Sequence, residues 1–76
     1  MRFKFKPGVL DVMKKQIKDG VPAKSIALSI GVFVPTLNNV LTGGSMQLTT
    51  TVKFIRYFQK YYGWSKDEWR EKLVEL

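Results

Sequence analysis

The 76-residue sequence contains no cysteine and no histidine. The first absence excludes a disulfide framework, a thiolate nucleophile and a cysteine-bound metal. The second removes the commonest metal ligand and the commonest general base near neutral pH. No apolar run approaches the roughly 20 residues that span a bilayer. The opening MRFKFKPG lacks the continuous apolar stretch of a signal peptide. Charge is missing from one long stretch, since residues 25–52 carry none. Carboxylates are few, and Asp67, Glu68, Glu71 and Glu75 fall together near the end, where helix capping and the helix dipole account for the first two. No Ser, Thr or Lys has an evident base partner, and Gly43-Gly44 lacks the phosphate-loop pattern. The expectation is a small, cytoplasmic, non-enzymatic domain without metal or cofactor.

What is present is the composition of a folded protein: 45% hydrophobic, 13% aromatic and 25% charged. Thirteen basic residues oppose six acidic ones, for a net charge of +7. The excess is uneven, with +5 in residues 1–24, +3 in residues 53–63 and −1 in residues 64–76. Such a balance either serves solubility alone or points to a polyanionic partner. A membrane surface is disfavoured, because the apolar face of the lysine-bearing first helix is needed for the core.

Apolar spacing predicts five helices and one all-α domain spanning residues 1–76. Val9, Leu10, Met13 and Ile17 define the first, over Pro7–Lys18, with Gly20 as a left-handed cap. Ile26, Ala27 and Ile30 mark the second, which stops at Gly31. The third runs from Val34 to Thr42 with Leu37, Val40 and Leu41 inward and Pro35 in its first turn. The fourth follows the cluster Thr49-Thr50-Thr51, any of which suits an N-cap, and places Val52, Ile55, Phe58 and Tyr62 on one face. The fifth begins at a Ser65-x-x-Glu68 capping box with Trp64 and Trp69 at the staple positions, and Trp69, Leu73 and Leu76 form its stripe. Helices four and five together occupy residues 51–75.

Residues 1–6 alternate strictly, with Phe3 and Phe5 opposite Arg2, Lys4 and Lys6. Two readings stay open: a short strand needing a partner, such as the same segment of a second subunit, or a flexible basic arm.

Residues 22–42 satisfy the demands of a helix-turn-helix. Ala27 supplies the small residue where the second helix crosses, and Gly31 the turn four positions later. Val32 plugs the corner, and Leu37 and Val40 dock the second helix. On AKSIALSIGVFVPTLNNVLTGG the chain resembles the phage repressor and Cro family of helix-turn-helix domains, also called the xenobiotic-response-element family. The resemblance continues through YYGWSKDEW and covers about residues 8–75. The loop Gly43–Thr50 is a few residues longer than that family's pattern.

The resemblance implies a five-helix, lambda-repressor-like fold that binds duplex DNA as a dimer, with the third helix in the major groove. Carried over by position, Val34, Pro35, Thr36, Asn38 and Asn39 would face bases. Thr42 and the loop through Gly43, Gly44 and Ser45 would lie near the backbone, and Ala23 and Lys24 would touch a phosphate or neighbouring base. Asparagine pairs with adenine, and Val34 or Pro35 suits thymine methyls, so the set favours A·T-rich reading. The third helix has no arginine, lysine or glutamine. Phe33 stands where the family places a serine or threonine cap, a loss of about 1 kcal/mol. Arg2, Lys4 and Lys6 are candidates for a DNA-embracing arm, and Lys53 and Arg56 for phosphate anchors.

Helix four carries a second aromatic line, Phe54, Tyr57 and Tyr61. With Trp69, Leu73 and Leu76 it forms the expected homodimer contact, the N-terminal strand being the other candidate. The function expected is a Cro- or repressor-type transcriptional regulator of phage or mobile-element origin. The alternative is a protein-binding module on the same scaffold, an antirepressor or a polymerase- or host-factor-binding protein engaging its partner through helices three and four.

Overall fold

The computed structural model describes all 76 residues. It contains strand β1 (Arg2–Phe5), helices α1 (Asp11–Lys18), α2 (Ala23–Ile30) and α3 (Val34–Leu41), strand β2 (Met46–Gln47), helix α4 (Leu48–Tyr62), helix α5 (Trp69–Lys72) and strand β3 (Leu73–Glu75). The three strands form an antiparallel sheet in the order β2-β1-β3. The fold is therefore α+β, which overturns the all-α expectation. No segment of sequence encodes the sheet by itself. It forms from pairings such as Phe3 with Met46, Phe5 with Leu73 and Phe3 with Glu75.

The alternation in β1 is that of a half-buried strand, and neither the free-arm reading nor the partner-subunit reading holds. Phe3 and Phe5 point into the core, Arg2 and Lys4 point out, and both partner strands belong to the same chain. The register extends by one backbone bond at each end. Lys6 donates its N–H to the Lys72 carbonyl (2.9 Å), and Leu76 donates to the Arg2 carbonyl (2.9 Å).

The last helix departs most from expectation. Only half of the capping box forms: the Ser65 N–H donates to Glu68 Oε1 at 3.2 Å. Turns follow, then a single helical turn, and at Leu73 the backbone becomes extended (ψ 151°). Leu73 is buried beneath the sheet instead of extending a helical stripe. Two backbone bonds to β1 favour the extended state, and a terminal helix of one turn has little cooperativity to resist it.

Helix α4 also starts earlier and faces differently from the sequence reading. It begins at Leu48, and none of the three threonines caps it. Thr51 instead lies inside, its hydroxyl donating to the Gln47 carbonyl at 2.9 Å. The buried face is Thr51, Phe54, Tyr57 and Phe58, while Val52, Ile55 and Tyr62 are only half-buried. The sheet explains the turn of the helix, because Phe5 packs at 5.6 Å from the Phe54 ring and 5.9 Å from Phe58. Each such ring stabilises the fold by about 1.5–3 kcal/mol on burial. Trp64 stacks on Phe58 at 4.3 Å and closes this layer. On the other side, Met13 of α1 is fully buried, and Gln16 donates to the Tyr62 hydroxyl at 2.6 Å.

Candidate nucleic-acid interface

Helices α2 and α3 meet at 98° across the three-residue turn Gly31–Phe33, within the range of helix-turn-helix units. The local cause is plain. Gly31 takes φ +94°, a left-handed conformation costly for other residues, and its N–H closes α2 on the Ala27 carbonyl at 2.8 Å. Ala27, 2% exposed, is the small residue on the buried face of α2. Leu37 and Val40 are buried and hold α3 against the core.

With that face inward, α3 turns Pro35, Asn38 and Asn39 to solvent, while Val34 and Thr36 are half-buried. The loop after α3 passes close to the Asn39 side chain. A Cβ on Gly44 would stand 2.5 Å from Asn39 Cγ, so the glycine lets the carboxamide lie against the chain. The Gly44 N–H then donates to the Asn39 carbonyl at 2.8 Å. Thr42 has a structural task, since its hydroxyl donates to the carbonyls of Asn38 (3.0 Å) and Asn39 (3.1 Å) and closes the helix end.

The exposed face of α3 carries no charge, and cations from four other elements surround it. Lys24 of α2 and Lys53 of α4 line a cleft of about 630 Å³ together with Leu28, Phe33, Val34 and Thr36. The stem of Lys53 lies over the turn at Gly31. A second cleft, about 310 Å³, joins Arg2 to Pro35, Thr36, Asn39 and Ser45. Arg2 is anchored there, donating from Nε to Ser45 Oγ (2.7 Å) and from Nη2 to the Ser45 carbonyl (2.9 Å). A third, about 480 Å³, gathers Lys4, Lys6 and Lys14 around Thr42 and Gly43, with Asp11 as its one acid. The chain's single ion pair, Arg70–Asp67, lies elsewhere, so none of these cations is neutralised internally.

The structure thus sets Lys24, Val34 and Thr36 in the first cleft, Arg2, Pro35, Asn39 and Ser45 in the second, and Lys4 and Lys6 beside Thr42 in the third, while the exposed Asn38 lines none of the three. Ala23 packs partly against the core. Lys14 and Thr50 join the surface without a signal in the sequence, because only the folded arrangement sets them beside the ends of α3.

The expected dimer residues do not form one patch. Phe54, Tyr57 and Leu73 belong to the core, at 0%, 7% and 8% exposure. Tyr61, Trp69 and Leu76 line three separate clefts. Phe54 is core because Phe5 of the sheet packs on it, whereas Tyr57 packs among Phe58, Tyr61 and Tyr62 and lies beside Ser29 and Ile30 of α2. Burial, then Tyr62 and Tyr61 beside it, push the Tyr57 hydroxyl from 10.0 up to about 12.

No cluster of three or more His, Cys, Asp or Glu side chains is gathered anywhere. No single helix is long and apolar enough to cross a membrane. No family model, curated protein or solved structure matches the chain.

Proposed function

We propose that this protein is a sequence-specific duplex-DNA-binding regulator of the Cro and repressor type, of phage or mobile-element origin, acting as a dimer on an operator. One observation carries the reading: an uncharged, asparagine-bearing helix stands between unpaired cations contributed by β1, α1, α2 and α4. A helix so framed suits a major groove, where base edges accept neutral donors and the flanking phosphates meet lysine and arginine. Phosphate contacts supply most of the affinity and Asn38 and Asn39 most of the sequence preference, toward A·T-rich sites. The second copy docks through surfaces other than Phe54, Tyr57 and Leu73.

Selection of random duplexes by the purified protein, at about 0.15 M salt with competitor DNA, tests this. The expected product is an inverted repeat with half-sites about 34 Å apart. Weak binding that disappears with salt and selects no sequence overturns it. In that event the 73% exposure of Leu28 and 84% exposure of Phe33 favour the protein-binding reading.

A further inference from the structure

Phe33 is the most exposed large apolar side chain in the molecule, at 84%. It occupies the N-cap of α3, where it makes no side-chain hydrogen bond. Ser, Thr, Asn or Asp there would stabilise the helix, so the ring is retained at the expense of about a fivefold factor in local stability. Nothing in the core uses it. Around it lie Val34 and Leu28, and at the rim of the same cleft Lys24 and Lys53, with no acid among the lining residues. The cleft therefore suits a ligand that offers an apolar group between anions.

We infer that Phe33 reads a thymine 5-methyl group in the major groove, held in register by phosphate contacts from Lys24 and Lys53. The inference rests on the DNA-binding reading and names the chemical group recognised at its edge. Thymine is the one base that presents a methyl in that groove, and an aromatic side chain is among its known apolar partners. Two phosphates on the flanking backbone supply the anions that an uncompensated lysine pair lacks. Because Phe33 directly precedes Val34 and Pro35, its contact extends the base-facing row of α3 by one step toward its N-terminal end.

The experiment compares duplexes recovered by selection, synthesised once with thymine and once with uracil at single positions. Uracil removes only the methyl and keeps every hydrogen-bonding edge. At one position per half-site, wild-type protein should lose about fourfold in affinity, ~0.8 kcal/mol. Phe33→Ser should bind the thymine duplex more weakly and be indifferent to uracil at that position. Phe33→Ser restores a cap, so its melting temperature should rise by about 4–8 °C. That opposition of higher stability and lost discrimination is not produced by a ring with a merely structural role. Equal sensitivity to uracil at every position in wild type and Phe33→Ser overturns the inference while leaving the DNA reading intact. The inference is likewise overturned if Phe33→Ser melts lower than wild type. Failure of the wild type to select any duplex overturns the DNA reading and this inference with it.

Discussion

Gly44 carries the Asn39 carboxamide: its Cα lies where any Cβ would come within 2.5 Å of Asn39 Cγ. The place that the Asn39 side chain takes on the exposed face of α3 thus depends on position 44 having no side chain. Gly44→Ala should displace Asn39 and reduce affinity for a selected site by the ~1–3 kcal/mol of a lost bidentate pair, as Asn39→Ala does. The double variant should lose no more than either single one, because both remove the same contact. Titration of the four proteins against one duplex checks this. Additive losses would mean that Gly44 acts independently of Asn39.

The basic side chains fall into two kinds. Arg2 is held by Ser45 through two hydrogen bonds, whereas Lys4 and Lys6 are exposed and unpaired. Replacing Lys4 or Lys6 by alanine should weaken binding to all sequences alike and lower the slope of log K against log salt by about 1 per phosphate lost. Folding stability should change by less than about 0.5 kcal/mol. Arg2→Ala should additionally lower the unfolding midpoint in urea, since it releases the loop after α3.

Phe54 separates the core reading from an association reading. It is fully buried and packs on Phe5 at 5.6 Å. Phe54→Ala should cost about 3–5 kcal/mol, which is most of the stability of a domain this small. Tyr61→Ala, at a half-exposed position, should change it by about 0.5 kcal/mol or less. Urea unfolding with sedimentation on the same samples distinguishes them. A Phe54→Ala protein that stays folded and becomes monomeric would return that residue to a dimer interface.

The Tyr57 hydroxyl, pushed up to about 12 chiefly by burial and then by Tyr62 and Tyr61, predicts a pH dependence in alkali. The fold favours the neutral phenol. Its contribution is fully present below the unfolded value of 10.0 and is lost as pH rises from there toward about 12. Stability should therefore fall across that interval more steeply in wild type than in Tyr57→Phe. Urea midpoints at about pH 9 and about pH 11 test the difference.

The helical half of the molecule was legible because its determinants are local. Ala27, Gly31, Leu37 and Val40 sit at fixed offsets, and each has the structural role that its size or backbone freedom dictates. The sheet was not legible. Met46–Gln47 is too short to show alternation, and Leu73–Glu75 follows a capping-box pattern that points to helix. Pairing of β1 with residues more than forty positions away leaves no periodic trace. The burial of Phe54 is equally silent in the sequence, because the ring that covers it, Phe5, belongs to that sheet. Within the candidate site, the uncharged face of α3 and the cations of β1 were readable. Lys24 and Lys53 are candidates from the sequence as well, whereas the place of Lys14 beside Thr42 and Gly43 is not readable, because only the fold brings α1 to the end of α3.

The antiparallel pairing of β1 with β3 has a mechanical consequence. Residues 2 and 76 lie at the same end of the ladder, so tension applied between them peels the strands apart one rung at a time. The Leu76–Arg2 bond goes first, the Phe3–Glu75 and Phe5–Leu73 rungs next, and the Lys6–Lys72 bond last. A zipper of this kind yields to small forces. Once β1 lifts away, Arg2 leaves Ser45 and Lys4 leaves the neighbourhood of Gly43. A pull on residues 2 and 76 therefore dismantles the β1 flank of the α3 surface.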